Sequence, residues 1–337
     1  MYGQDEATYL AFSLGWNVVR KMPERTAYKT FDRLADRAWR GHGDGVKQLE
    51  KNLRRVDPAI SHTELRDLSR DSMRRYLRYW CDAFRMPDWS DDRIISTLRT
   101  ERGNLLYDSF AAGGGVVIAL GHMGNWDHAG AWGTLSVGPV TSVAERLKPE
   151  RLFRKFLAYR ERLGMRIHPL GTPNLTDVLA EEIRTEGRII ALLADRDLGE
   201  HGIDVDLFGE VTRMPAGPAN LALRTGAPLL PATLYYEGRD AWVTFHEPVP
   251  VPRGAPTGDG CTDEPGYDAA VSTMTQHFAN ALQVGIRNHP ADWHMMQKLW
   301  LSDLDPHRLA VVNSKRAATA AARAAAAEHR ALRRETQ

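Results

Sequence analysis

From Val116 onward, short apolar runs alternate with longer amphipathic stretches, and this alternation constrains the fold more than any other feature of the chain. Short apolar runs bounded by turn residues predict β-strands, whereas the longer stretches have helical periodicity. Strands that alternate with helices form a mostly parallel sheet, because each crossover helix packs back onto the sheet. We therefore predict an α/β fold with a central, mostly parallel sheet covered by helices on both faces. The predicted strands span residues 116–120, 141–144, 166–170, 188–194, 228–236 and 241–245. The predicted helices between and after them span residues 149–163, 175–185, 217–224 and 267–288.

The first 90 residues have a helical pattern instead. One amphipathic helix is predicted over residues 8–39 and another over 61–84, the second opened by a capping box of Ser61 and Glu64. Aromatic residues beside basic ones are typical of a helix at a membrane interface, and also of an ordinary helical layer over a core. The pattern leaves both interpretations open.

Bulk composition narrows the class of protein. With 337 residues, 43% of them apolar, the chain can bury a large core, and 44 Lys and Arg against 43 Asp and Glu provide no field that would attract nucleic acid. Cys81 and Cys261 match no zinc or redox spacing, which predicts free thiols in a reducing cytoplasm. The most apolar early stretch, 7–19, is too short to span a bilayer and lacks the flanking charges of a secretory signal.

We divide the chain into a single domain over residues 1–312 and a tail over 313–337. Within the domain, residues 1–90 are expected to form a helical layer that faces a membrane, and residues 113–305 the α/β core. The tail is rich in Ala and Arg and has only Leu332 as a larger apolar residue, so we expect an appendage that is either frayed or helical.

The strongest candidate for chemistry is His122, in the segment 121–127 with the sequence Gly-His-Met-Gly-Asn-Trp-Asp. His122 follows the predicted strand 116–120 at its carboxyl end, the edge where open α/β sheets bind ligands. A turn from strand into helix can fold Asp127 back onto the imidazole, and a carboxylate on Nδ1–H would leave Nε2 as a base of near-neutral pKa. Such a base can take a proton from an alcohol that attacks a thioester. The alternative is a histidine that only satisfies a local hydrogen bond.

Other charged residues are expected near the same edge. Glu145 and Asp195 each follow a predicted strand, and Asp195 is a second carboxylate that could face His122. Arg160, and Arg213 in a segment predicted as an ordered loop that enters a helix, are candidate ligands for a phosphate or an oxyanion. A structural ion pair of Glu145 with Arg160, or a simple capped turn around Arg213, are the alternatives.

The sequence lacks the motifs that are typical of several other reaction classes. His122, Asp127, Asp195 and Asp197 could surround a metal ion, but these residues match no recognised ligand motif, and no metal site is predicted. The sequence contains no Gly-x-x-x-x-Gly-Lys-Ser/Thr, no Gly-x-Gly-x-x-Gly after a strand and no Gly-x-Ser-x-Gly. This argues against nucleotide hydrolysis, hydride transfer and serine hydrolysis.

Four motifs in a common order give the chain a resemblance to a known family. They are the 121–127 segment after an apolar strand, the strand end 194–197, the segment 208–219 and the closing segment 290–297. In this order they resemble the lipid A lauroyl-type acyltransferases over about residues 8–305 and, within that family, the actinobacterial phosphatidylinositol mannoside acyltransferases.

The resemblance implies a long-chain acyl-CoA, with a palmitoyl group, as donor, no cofactor, and a mannose hydroxyl of a phosphatidylinositol mannoside as acceptor. It also implies a peripheral enzyme on the anionic, cytoplasmic face of the plasma membrane. It makes His122 the base, Asp127 its partner, Asp195 a third acidic member where the mannoside enzymes have Glu, and Arg160 a substrate contact. Since burial of each methylene gains about 0.8 kcal/mol, an apolar slot is expected between the core and the helices of residues 8–85. A metal-assisted hydrolase and a non-catalytic lipid-binding protein are the alternative functions.

Overall fold

A sheet of seven strands forms the centre of the structure, a computed structural model that describes residues 14–321 apart from 147, 198, 308 and 320. The strands are β1 (Leu98–Glu101), β2 (Val116–Leu120), β3 (Val140–Ala144), β4 (Arg166–Pro169), β5 (Ile189–Leu193), β6 (Ile203–Leu207), β7 (Glu210–Met214), β8 (Leu229–Glu237) and β9 (Asp240–Phe245). The order in the sheet is β1-β9-β8-β2-β5-β3-β4, and β6 and β7 form a separate antiparallel hairpin. Strands β8, β2, β5, β3 and β4 run in one direction, while β9 and β1 run in the other.

Helices cover both faces of this sheet. They are α1 (Glu24–Gly41), α2 (Asp44–Val56), α3 (His62–Arg85), α4 (Asp91–Ser96), α5 (Gly103–Gly113), α6 (Trp126–Ser136), α7 (Glu150–Arg162), α8 (Leu175–Glu186), α9 (Gly217–Thr225) and α10 (Tyr267–Asn288). All five residues of β2 are buried, as expected for a strand with helices on both sides. The predicted α/β fold, with N-terminal helices in front of it, is confirmed.

All six predicted strands are confirmed, each within one residue of its predicted ends. Three strands were not predicted. Strand β1 has a single apolar residue, Leu98, and pairs only with β9 at the edge of the sheet. Strand β7 lies in the segment 208–219 that was interpreted as an ordered loop, so that interpretation is wrong up to Met214, and β6 lies directly before this segment. The alternation of Ile203, Val205 and Leu207 with two aspartates is the two-residue period of a strand, and it was the available signal.

The predicted continuous helix over residues 8–39 is also wrong. Residues 14–21 are helical, the helix stops at Met22, and α1 begins after Pro23. Proline has no N–H to donate and disfavours a helical conformation in the residue before it, which explains the break. Residues 8–13 of the prediction lie outside the described residues. By contrast, the capping box of Ser61 and Glu64 at the start of α3 is confirmed by both of its hydrogen bonds.

The N-terminal helices are joined to one another by polar as well as apolar contacts. The carboxylate of Asp36 in α1 is buried and accepts hydrogen bonds from Arg70 and Arg74 of α3 at 2.7–2.9 Å. Within the part of the chain that the structure describes, no helix has the length and hydropathy needed to cross a bilayer. Cys81 and Cys261 are both buried free thiols.

The start of the predicted tail contacts the β6–β7 hairpin. Apart from residue 308, the chain is helical from 306 to 319, so the helix runs past the boundary placed at residue 313. Asn313 accepts a hydrogen bond from Arg213, and Arg316 forms an ion pair with Asp204 at 3.2 Å. The first residues beyond 312 are therefore anchored by specific polar contacts to the hairpin.

Candidate active site

The register of two neighbouring strands brings His122 and Asp195 together. Strands β2 and β5 pair in parallel with Leu120 opposite Leu193, so two residues further on His122 lies opposite Asp195. The imidazole Nδ1 is 2.5 Å from Asp195 Oδ1, and the His122 backbone N–H donates to Oδ2 at 2.9 Å. The Asp195 side chain is fully buried, whereas that of His122 is 37% exposed. Because the carboxylate accepts the proton of Nδ1, the Nε2 atom is left as the basic nitrogen.

The two side chains shift each other's pKa in opposite directions. Burial lowers the pKa of His122, but the charge of Asp195 and its hydrogen bond outweigh burial, so the pKa is raised. The charge of exposed Glu145 adds to this increase, and that of Arg196 opposes it. Burial raises the pKa of Asp195, but the nearby imidazole and the donated hydrogen bonds outweigh it, so the pKa is lowered. The pair therefore combines an ionised carboxylate with an imidazole of increased basicity.

Asp127 is not the hydrogen-bond partner of His122, which corrects the sequence-based prediction. Asp127 lies in the first turn of α6 and is buried, where it accepts hydrogen bonds from Arg160 Nε at 2.7 Å and from the Tyr79 hydroxyl at 3.0 Å. In the described part of the chain, its carboxylate makes no hydrogen bond to His122. The first turn of the helix directs Asp127 toward α3 and α7, so the carboxylate from the neighbouring strand reaches Nδ1 instead.

The other three predicted site residues, Arg160, Glu145 and Arg213, do not form one cluster. Arg160 pairs with Asp127 and not with Glu145, and this buried pairing raises the pKa of its guanidinium against the effect of burial. Glu145 is exposed and close enough for its charge to act on His122. Arg213 is not brought into this cluster. It is 2% exposed in β7 and donates to Asp204 and Asn313, so it presents no exposed guanidinium to a substrate.

The closing segment 290–297 holds the His122 loop in place, a role that the sequence analysis missed. Trp293 Nε1–H donates to Asp195 Oδ2 at 3.1 Å, and the His294 backbone N–H donates to the His122 carbonyl at 2.8 Å. The Gly124 N–H donates to the Asp292 carbonyl at 3.0 Å. The motif had been noticed in the sequence, but its contacts join positions about 170 residues apart, and no local pattern indicates such contacts.

Gly124 of this loop and His294 of the closing segment contribute further close contacts. Gly124 has a φ of +51°, and a Cβ there would lie 2.8 Å from the backbone of Leu234. Burial lowers the pKa of His294 to about 3, so its ring is neutral. The ring nitrogen Nε2 lies 3.1 Å from the carbonyl oxygen of Gly124, so Nε2 carries the proton and donates it. Gly124, in the loop that presents His122, thus lies against the backbone of Leu234 and accepts a hydrogen bond from the ring of His294.

An apolar cavity begins next to this pair. It is a narrow slot of about 70 Å³ between the sheet and α6. Trp126, Asp127 and Arg160 form its polar end, and the Trp126 ring lies edge-on to the imidazole with 5.8 Å between ring centroids. Its other walls are mostly aliphatic side chains of β2, β3 and β5. The slot expected against the helices of residues 8–85 is therefore replaced by one beneath α6, because the crossover helix after β2 covers this face of the sheet.

The metal-site alternative required His122, Asp127, Asp195 and Asp197 to converge. Asp127 is directed to Arg160, and Asp195 is occupied by His122 and Trp293. Among the residues with described positions, no group of three or more His, Cys, Asp or Glu side chains is placed to hold a metal ion.

Comparison with known proteins assigns the chain to a family. The model of the bacterial lipid A biosynthesis acyltransferases matches residues 5–302. The chain belongs to this acyltransferase family. It is 41% identical over 310 residues to a phosphatidylinositol mannoside acyltransferase of Mycolicibacterium smegmatis, covering 90% of this chain and 95% of that protein. It is also 41% identical over 319 residues to a protein of the same name from Mycobacterium tuberculosis, covering 92% and 93% of the two chains.

In this member of the lipid A biosynthesis acyltransferase family, the Asp127–Arg160 pair is expected to contribute mainly to stability. Arg160→Ala would leave the buried Asp127 carboxylate without its cation, and removal of one partner of a buried pair costs about 3–5 kcal/mol. Exposed Arg162 in the same helix is the matched control, and Arg162→Ala should change the free energy of unfolding by less than about 0.5 kcal/mol. Urea unfolding of both variants measures the difference. Equal stability of the two variants would show that the pair is not important for folding.

Proposed function

We propose that this acyltransferase transfers a long-chain acyl group, such as palmitoyl, from acyl-CoA to a mannose hydroxyl of a phosphatidylinositol mannoside. The observation that carries the proposal is the His122–Asp195 pair beside an apolar cavity at the carboxyl edge of the sheet. The names of the two mycobacterial relatives support the choice of acceptor. The predicted metal-assisted hydrolase has less support, since the carboxylates that it needs are bound to other protein groups.

The proposed reaction needs one base and no covalent enzyme intermediate. The acceptor hydroxyl donates a hydrogen bond to His122 Nε2 and loses its proton to Nε2 as the oxygen attacks the thioester carbonyl carbon. The tetrahedral intermediate collapses, the carbon–sulfur bond breaks, and the CoA thiolate takes the proton from the imidazolium. Asp195 remains ionised throughout and stabilises the imidazolium, consistent with its lowered pKa.

In this proposal the apolar cavity beneath α6 holds the acyl chain. Burial of an acyl chain gains about 0.8 kcal/mol per methylene, so the aliphatic lining of this slot favours an acyl chain over a polar group. Trp126 and Arg160 at its polar end lie where the carbonyl group of such a chain would enter. This assigns a substrate-binding role to Arg160 in addition to its pairing with Asp127.

We further propose that the enzyme binds peripherally to the anionic cytoplasmic face of the plasma membrane. The helix of residues 14–21 exposes Leu14, at 69%, and Val18, and exposed Lys21 follows them. Its Trp16 packs on Phe156 of α7, so both helices belong to one surface. Apolar side chains beside basic ones suit the interface of an anionic bilayer.

A mass-spectrometric assay tests the proposed function. Purified enzyme is incubated with palmitoyl-CoA and a panel of acceptors, namely phosphatidylinositol mannosides, phosphatidylinositol without mannose, and lysophospholipids. We expect one acyl group to be added to the mannosides only. Release of free fatty acid without transfer would favour a hydrolase, and transfer to lysophospholipids alone would exclude the mannose hydroxyl as acceptor.

The length of the acyl chain is expected to depend on Gly133. This residue lines the cavity two helical turns beyond Trp126, about 10 Å from its polar end, and a Cβ there would already lie 3.3 Å from Val140. Gly133→Leu should fill the far end and lower kcat/KM for palmitoyl-CoA about tenfold or more relative to that for decanoyl-CoA.

Leu135→Ala, at an exposed position of the same helix, is the control and should keep the wild-type preference. Retained turnover of decanoyl-CoA by Gly133→Leu would show that the variant is folded. An unchanged preference in such a folded variant would exclude this cavity as the acyl site.

A further inference from the structure

A second and larger cavity lies between α1, α3 and the turn that joins β8 to β9. It has a volume of about 530 Å³ and shares none of the aliphatic walls of the first cavity. Helix α3 separates the two cavities. Its Tyr79 is directed to Asp127 and the first cavity, whereas its Arg75, Arg78 and Asp82 line the second. The proposed acyl transfer, with His122 as the base, leaves this second cavity without a function.

The lining of the second cavity carries more positive than negative charge. Six arginines and four acidic residues line it. Three of the carboxylates are paired with lining arginines: Glu24 with Arg93 at 2.8 Å, Asp71 with Arg75 at 2.9 Å, and Asp82 with Arg78 at 3.8 Å. Asp82 also accepts hydrogen bonds from the hydroxyls of Tyr28 and Tyr236 at 2.6 and 3.0 Å. The fourth, Asp32, is exposed.

Aromatic rings hold two of the lining guanidinium groups in fixed orientations. The Arg78 guanidinium lies 3.9 Å from the centre of the Tyr236 ring and donates to the carbonyls of Gly238 and Arg239. The Arg93 guanidinium lies 4.2 Å from the centre of the Trp89 ring. Stacked guanidinium groups lose little freedom when they bind a ligand, so these walls are already ordered for binding.

Arg25 and Arg239 reach the cavity from opposite walls, one from α1 and the other from the β8–β9 turn. Both are exposed, and neither side chain forms an ion pair or hydrogen bond with the parts of the protein whose placement is described. Two unpaired guanidinium groups across one concave, net positive surface are suited to an anion that accepts several hydrogen bonds.

We propose that this cavity binds a phosphate ester group of one of the two substrates, with Arg25 and Arg239 as the residues that close on it. The inference deepens the proposed acyl transfer and rests on it for the choice of ligands. Phosphate is the preferred anion because the fork of a guanidinium matches two of its oxygens. The phosphate comes either from CoA or from the phosphodiester of a phosphatidylinositol headgroup, which share this chemistry.

Equilibrium binding to the full-length protein tests the proposal without turnover. Calorimetric titrations use CoA, deacylated phosphatidylinositol dimannoside, and their phosphate-free counterparts pantetheine and inositol dimannoside. In the double variant Arg25→Gln/Arg239→Gln we expect the Kd of one phosphate ligand to rise about tenfold or more, with no change for its phosphate-free counterpart. The increase should shrink at high ionic strength, since exposed charges are screened.

Arg33→Gln is the matched control, because Arg33 is an exposed arginine of the same helix α1 that does not line the cavity. A Kd increase for CoA alone would assign the donor's phosphates to the cavity, and an increase for the deacylated lipid alone would assign the acceptor's. Unchanged Kd values for both, no binding of either by the wild-type protein, or an equal loss in Arg33→Gln would overturn the proposal. Transfer that survives loss of His122 would instead refute the proposed function and leave these binding results standing.

Discussion

Replacement of His122 by Ala is expected to lower kcat for acyl transfer by about 10²- to 10⁴-fold, the usual contribution of a general base. The reason is that Nε2 of His122 is the unprotonated nitrogen of a partly exposed imidazole whose other nitrogen is held by a buried carboxylate. In the variant, the acceptor hydroxyl would have to lose its proton to water. Single-turnover measurements with palmitoyl-CoA and a mannoside acceptor would separate this effect from binding, because KM should change little.

His122→Gln extends the same test. Glutamine can still donate a hydrogen bond to Asp195 but cannot accept a proton at neutral pH, so its activity should be as low as that of the alanine variant. His201→Ala is the control, since His201 is a largely exposed histidine in the loop that follows Asp195. Substantial transfer by both folded His122 variants would refute the mechanism.

Replacement of Asp195 by Asn is expected to lower kcat by about 10²-fold or more and to change the pH profile. Asparagine is isosteric, but it has no charge to raise the pKa of His122 or to stabilise the imidazolium. The base must be neutral to act, so wild-type activity falls as the pH drops through the raised pKa of His122. Without the carboxylate, burial dominates and lowers that pKa, so the acidic limb of the profile should move to lower pH.

Two variants make this test specific. Asp195→Glu keeps the charge with a longer side chain and should retain more activity than Asp195→Asn. Asp127→Asn should leave the acidic limb in its wild-type position, because Asp127 pairs with Arg160. An acidic limb that moves in Asp127→Asn and stays in Asp195→Asn would restore the pairing first inferred from the sequence.

The closing segment 290–297 contributes to the position of Asp195 through Trp293. Trp293 is fully buried and donates to the carboxylate oxygen that the backbone of His122 also uses. Trp293 therefore orients Asp195, and Asp195 in turn orients His122. Hydrogen bonds outside a metal site fix its ligands in the same way. Loss of the Trp293 hydrogen bond would therefore alter the position of Asp195 and, through the Asp195–His122 hydrogen bond, that of the base.

Most of the α/β core could be predicted because its signals are local. The apolar run Val116–Leu120 and the helical period of Tyr267–Asn288 depend on neighbouring residues only, and both elements have the predicted bounds. Signals of the same kind were weak at β1, where one apolar residue precedes three polar ones. The position of His122 at the carboxyl edge followed directly, since it needed only the end of one strand.

The partner of that histidine could not be decided in this way. From sequence distance, Asp127 is five residues from His122 and Asp195 is 73, which favours the nearer carboxylate. Sheet order reverses this preference, because β5 lies next to β2 and its parallel register sets Asp195 opposite His122. The helix that starts at Trp126 meanwhile directs Asp127 to Arg160 of a different helix.

The amino-acid sequence by itself determined where most strands and helices of the α/β core lie, that they form a mostly parallel sheet, and that His122 follows a strand at its carboxyl edge, because periodicity and turn chemistry act over a few residues. Only the tertiary structure decided which carboxylate serves His122, that Trp293 supports it, and that the apolar cavity lies beneath α6. These features depend on which strands are neighbours and in what register. That order is set by the packing of the whole core, and a local pattern carries no record of it.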